Sequence, residues 1–137
     1  VASAILIGFF VSYAGYYASP ALGPRFTLAH LQGAPLTGLL TFDIIRLSLD
    51  AAEGIMRDCC PSGHVMISVL TILLARRIGS RFFIPALAWT LALSFSTVYL
   101  RYHYVVDLIG GIALAFAVYA FVPAMERFVR SRKLQAT

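Results

Sequence analysis

The chain has 137 residues, of which 60% are hydrophobic and 12% charged, with a mean hydropathy of +0.83. Soluble domains carry about 25% charged residues, so the composition disfavours an ordinary soluble domain and predicts an all-α integral membrane protein. The net charge of +5 calls for no nucleic acid: seven of the eleven basic residues sit in two clusters, Arg76, Arg77 and Arg81, then Arg127, Arg130, Arg132 and Lys133, the distribution of cytoplasmic helix ends.

Residues 1–18 are apolar and small and begin inside a hydrophobic run, with no initiator Met and no basic flank. They are expected to be a transmembrane helix in a chain lacking its true start, because a signal peptide needs a charged beginning and a cleavage site. Residues 19–35 hold Pro20, Gly23, Pro24, Gly33 and Pro35 and read as a loop. Residues 36–57 mix Leu and Ile with Asp43, Arg46, Asp50 and Glu53, the pattern of an amphipathic helical segment at the membrane surface. Three hydrophobic runs follow, at 64–79, 82–100 and 104–122, each near the roughly 20 residues that cross a bilayer. Residues 123–137 form a basic cytoplasmic tail. The expected architecture is therefore a membrane-embedded helical bundle with four transmembrane helices and one interfacial helix.

The basic clusters fall at alternate ends of the runs. This orientation gathers the 19–35 loop and the starts of 64–79 and 104–122 on the non-cytoplasmic face, where Arg25, His64, Arg101, His103 and Asp107 meet. His103 and Asp107 are four residues apart, a spacing that on a helix lets a carboxylate hold an imidazole in one tautomer, as nucleophile or base. Asp107 lies about one turn inside an apolar helix, where an ionisable group marks function. His64 follows Pro61-Ser62-Gly63 at a helix start, where free amides face a bound anion. Ser62 is read as a phosphate contact or a cap, and Arg25 and Arg101 as clamps on phosphate oxygens. His30, the Arg57–Asp58 neighbours and Tyr99, Tyr102 and Tyr104 read as surface or interfacial groups, and Gly110, Gly111 and Ala115 as a close helix contact. Cys59 and Cys60 are adjacent and unsuited to a relaxed disulfide. No Cys/His spacing resembles a zinc site, so no metal or other cofactor is expected.

These residues carry a family pattern. The chain resembles the type 2 phosphatidic acid phosphatase superfamily, and the stretch Tyr99-Leu100-Arg101-Tyr102-His103-Tyr104-Val105-Val106-Asp107-Leu108-Ile109-Gly110-Gly111 resembles most its inositol phosphorylceramide synthase branch. The family's second signature stands as Pro61-Ser62-Gly63-His64. Its third, Ser-Arg followed by His and Asp, is matched by Ser96, His103 and Asp107, with Thr97 in place of the arginine. Its first signature is absent in its usual form, the nearest equivalent being Gly23-Pro24-Arg25. Members of the family have six transmembrane helices, so the resemblance implies a missing N-terminal pair.

The resemblance further implies a metal-independent phosphatase acting on a lipid or prenyl phosphate. His103 would attack phosphorus to give a phosphohistidine, Asp107 would orient and stabilise it, and His64 would protonate the leaving oxygen. Arg25, Arg101, Ser62 and Gly63 would bind the phosphate oxygens. Two alternatives stay open: a lipid phosphotransferase, if an alcohol rather than water resolves the intermediate, and a non-catalytic lipid-binding or transport protein that kept the scaffold. The partners implied are a lipid phosphate and the bilayer. Oligomeric state is not legible.

Overall fold

The computed structural model describes residues 2–31, 33, 38, 41–52, 59–77, 79 and 81–135. Among these, six α-helices and one 3-10 turn account for the regular structure: α1 (Ala2–Ala18), α2 (Pro24–Thr27), the turn Ala29–Leu31, α3 (Phe42–Ala52), α4 (Gly63–Arg77), α5 (Phe83–Tyr99) and α6 (Val105–Gln135). The fold is all-α.

α4 lies at the centre, packed against α1, α5 and α6, and α1 also packs on α6. Met66, Leu70 and Leu74 recur every four residues and so line one face of α4. They meet Ala115, Val118 and Val122 of α6 and Ala4 of α1, forming the core. Met66 and Leu70 are fully buried, and truncating such a side chain to alanine costs roughly 2–5 kcal/mol. The buried residues of α1 are Ala4, Gly8 and Ser12, with Ile5 and Ile7 partly buried against the core. Small side chains at that spacing let its backbone approach α4. Two backbones meet closely at Gly111, where a Cβ would stand 2.5 Å from the Ser62 carbonyl oxygen, so α6 can reach the start of α4 only with glycine there.

α3 has no buried residue, and Ile44, Ile45 and Leu47 are exposed on it. Of the interfacial segment expected over 36–57, positions 36, 37, 39, 40 and 53–57 lie outside the described residues, as does the Arg57–Asp58 pair.

The expectation of four transmembrane helices is overturned. Among the described residues, one helix is both long and apolar enough to cross a membrane: α6 over Val105–Ala124, 20 residues with a hydropathy of 2.3. α1 and α5 are apolar but have 17 residues each, and α4 has 15. At 1.5 Å per residue these reach about 22–26 Å, short of the roughly 30 Å of a hydrocarbon core. The runs 64–79 and 82–100 exceed their helices by a residue or two at their ends: α4 stops at Arg77, and Phe82 and Leu100 lie in turns outside α5. The basic segment that follows the apolar span is helical as far as Gln135, since α6 continues through Pro123.

Candidate active site

Two connections converge beside α4: the turn 59–62, whose Cys60–Pro61 peptide is cis, and the loop 100–104 between α5 and α6. α5 ends because Arg101 adopts a left-handed backbone, φ 64°, which costs a non-glycine residue about 1–2 kcal/mol. The reversal lets the amides of Tyr102 and His103 both donate to the Thr97 carbonyl, at 2.9 and 3.2 Å, satisfying the end of the helix. Thr97, which stands where the resemblance expects an arginine, thus anchors the loop carrying His103. The Arg101 carbonyl accepts the Arg25 amide at 3.0 Å, and the Tyr102 carbonyl lies 2.8 Å from where a Cβ of Gly23 would be, so α2 seats against this loop. Tyr104 and Thr27 join their hydroxyls across the same seam.

His103 is buried, with Nδ1 2.8 Å from the Cys59 carbonyl oxygen. A carbonyl only accepts, so Nδ1 carries the proton and Nε2 keeps its lone pair. The His64 ring faces it, 6.2 Å between centroids and tilted by 58°. His64 is exposed, and among the described residues its side chain has no hydrogen-bond partner. The two imidazoles thus lie near one another, His103 buried and His64 at the surface.

Asp107 departs from its expected contact. His103 precedes α6 rather than sharing its face, and Asp107 Oδ2 lies 4.0 Å from His103 Nδ1, within ion-pair range and beyond a hydrogen bond. Two better-placed donors take that oxygen: the Tyr104 amide at 2.8 Å and the Cys59 thiol at 2.9 Å. The first is the reach of a third-position acid back to the helix cap. Asp107 therefore caps α6 and sets a buried negative charge beside the imidazole, while the Cys59 carbonyl orients the ring.

Ser62 is fully buried. Its amide donates to the Asp107 carbonyl at 3.1 Å, and its Oγ lies 3.5 Å from the Val65 amide, so it caps α4 and ties α4 to α6. The Gly63 amide donates to the Tyr16 hydroxyl at 3.2 Å. Arg25 is half-buried and its guanidinium is engaged: it lies 2.7 Å from Asp50 and 4.7 Å over both the Tyr102 and Phe26 rings. Asp50 also accepts the Tyr102 hydroxyl at 2.8 Å, and this shared carboxylate ties the exposed α3 to the site. Arg101 is half-buried at the turn, and His30 is exposed away from the cluster, in the 3-10 turn.

Three participants were missed in the sequence. Cys59, two residues before the Pro61-Ser62-Gly63-His64 motif, touches both His103 and Asp107, and its adjacency to the motif was the available signal. Tyr16 and Asp50 had none, being one aromatic in an apolar run and one acid in an amphipathic helix. Burial and, next, the hydrogen bond to Asp107 push the Cys59 thiol from 9.0 up to about 12, and burial and the Asp107 charge raise Cys60 too. Cys59 Sγ, His103 Nδ1 and an Asp107 oxygen lie within 4.8 Å of one another, a set of donors able to hold a metal ion.

A cavity of about 790 Å³ adjoins His64, lined by Phe9, Tyr13, Tyr16 and Tyr17 of α1 and bounded by Leu93 of α5. Its size and aromatic walls suit a substantial apolar ligand.

No curated protein and no solved structure gave a significant match. The buried His103, Asp107 and Cys59 cluster faced by His64 is consistent with a phosphatase-type site, and the sequence pattern of the PAP2 superfamily matches residues 1–121, so the chain belongs to the PAP2 superfamily.

Proposed function

We propose that the protein is a lipid phosphate phosphatase working through a phosphohistidine, with His103 as nucleophile. The observation that carries this reading is the Nδ1 to Cys59 carbonyl bond of 2.8 Å, which leaves the Nε2 lone pair for phosphorus. His103 attacks, the ester oxygen departs with a proton from His64, and the phosphorylated ring gains positive character that the Asp107 carboxylate offsets. His64, now neutral, takes a proton from the water that releases phosphate. Arg25, once freed from Asp50, neutralises the equatorial oxygens together with Arg101 and the first turn of α4. The superfamily acts generally on lipid phosphates, and the aromatic cavity beside His64 supports an apolar chain on the leaving group.

The site sits at the start of α6, and Arg127, Arg130, Arg132 and Lys133 follow its apolar span. With α6 as a membrane anchor, this polarity favours a non-cytoplasmic site, and the exposed Leu6, Phe10, Trp89 and Phe95 favour lipid contact for α1 and α5. A cysteine at Ser131, with both native cysteines replaced by serine, is then shielded from an impermeant reagent in intact cells. Labelling without membrane disruption reverses the orientation.

Rapid-quench trapping with labelled lipid phosphate tests the chemistry. An acid-labile phosphohistidine is expected in the parent and absent in His103→Ala, and an undiminished adduct in that variant names another nucleophile. Product analysis with added alcohols separates water from an alcohol as the acceptor.

A further inference from the structure

We propose that Cys59, His103 and Asp107 form a binding site for a thiophilic divalent cation such as Zn²⁺, and that the bound ion switches the site off. The three side chains come from the turn before α4, the α5–α6 loop and the first turn of α6, and each is more than nine-tenths buried. Sulfur, imidazole nitrogen and carboxylate oxygen are the ligand types zinc takes, and three protein ligands with a fourth position open make a common zinc arrangement. The donor separations are 2.9 Å (Sγ to Oδ2), 3.6 Å (Sγ to Nδ1) and 4.0 Å (Nδ1 to Oδ2). Zinc bonds of about 2.3 Å to sulfur and about 2.0–2.2 Å to nitrogen and oxygen give tetrahedral edges of about 3.4–3.6 Å. Each separation is therefore within about 0.7 Å of what an ion needs, a shift that side-chain rotation supplies.

The charge arrangement favours the same ligand. A buried carboxylate beside a thiol is poorly compensated by neutral donors, and a divalent cation neutralises it on binding.

The consequence for chemistry follows from which ring nitrogen faces the cluster. Coordination through Nδ1 replaces the N–H bond to the Cys59 carbonyl, and that proton moves to Nε2, the atom the proposed function uses as nucleophile. The thiol releases one proton to solvent as the sulfur–metal bond forms. The occupied site has no lone pair on Nε2, so zinc inhibits and chelator restores, the opposite sign to a metal-dependent phosphatase.

The switch rests on the phosphatase reading but the binding site does not, and the experiment separates them. Co²⁺ is titrated into the full chain in detergent, where thiolate ligation produces a near-ultraviolet charge-transfer band. One equivalent is expected to saturate the band in the parent and in Cys60→Ser, and Cys59→Ser is expected to abolish it. Serine keeps a hydroxyl donor for Asp107, and circular dichroism checks that the helices persist. No band in the parent overturns the site without recourse to any variant, and so does a band that survives Cys59→Ser or disappears in Cys60→Ser. Phosphate release, followed in parallel, is expected to fall roughly tenfold or more in saturating Zn²⁺ and recover in excess chelator, since the Nε2 lone pair is what the ion removes. Release unaffected by Zn²⁺, with the cobalt band present, overturns the switch and leaves the site. A band without any phosphate release points instead to failure of the phosphatase reading.

Discussion

Asp107→Asn isolates the charge that the proposed mechanism places beside His103. Both hydrogen bonds to the side chain, from the Tyr104 amide and the Cys59 thiol, fall on the single oxygen Oδ2. An asparagine with its carbonyl oxygen in that place keeps both, so the cap on α6 survives and only the charge is lost. The charge stands 4.0 Å from His103 Nδ1 with both groups buried. At an effective dielectric constant of about 20, a unit positive charge forming on the ring is worth about 4 kcal/mol at that distance. This converts to a fall in kcat/KM on the order of 10³-fold. The assay is phosphate release from a short-chain lipid phosphate in detergent, with thermal unfolding of the same preparation beside it. The expected pattern is a large kinetic loss with little change in Tm, whereas Asp107→Ala, which also loses the cap, drops in stability by about 1–2 kcal/mol. A folded Asp107→Asn within a few-fold of the parent would refute the reasoning, because a charge at 4.0 Å from a ring that becomes cationic cannot be kinetically silent.

His64→Ala is expected to cost about 10²–10⁴-fold on a lipid phosphate and to regain part of that loss on a p-nitrophenyl phosphate ester, whose leaving group needs no proton; equal losses on both would assign His64 to binding. Asp50→Asn removes the charge holding Arg25, a partly exposed pair worth up to about 1 kcal/mol, so competitive inhibition by inorganic phosphate should tighten by up to roughly fivefold, and unchanged inhibition counts against Arg25 as a phosphate clamp. Cys59 holds its proton in the folded state up to about pH 12, against 9.0 for the ordinary thiol. Its stabilising contribution is therefore complete below pH 9 and is lost as pH rises toward 12, at up to about 1.4 kcal/mol per pH unit. Denaturant melts of parent and Cys59→Ser between pH 8 and 10.5 should converge as pH rises, and parallel curves would show that the thiol is not held neutral.

His64, His103 and Asp107 stand out in the chain alone, because an ionisable residue at the end of an apolar run has few reasons to be there, and packing gathers His103 and Asp107 with Cys59. The helix-breaking clusters and hydrophobic runs likewise gave the all-α class and the approximate placement of the helices. These are local properties, set by composition and by spacing along one segment. The number of membrane-length helices was not of that kind. Phe82 and Leu100 count toward the 82–100 run in sequence, but both lie outside α5, Leu100 as the cap before the left-handed turn at Arg101, which leaves a helix of 17 residues. The expected pairing of His103 with Asp107 stands at ion-pair distance, but the ring's hydrogen-bond partner was beyond reach for a related reason: His103 precedes α6, so Asp107 caps the helix and the Cys59 carbonyl orients the ring. Cys59 with Asp107, Tyr16 with Gly63, and Asp50 with Arg25 join residues 25 to 48 positions apart. Such contacts arise when separate helices pack, and no periodicity along one of them encodes which side chains of another will face it.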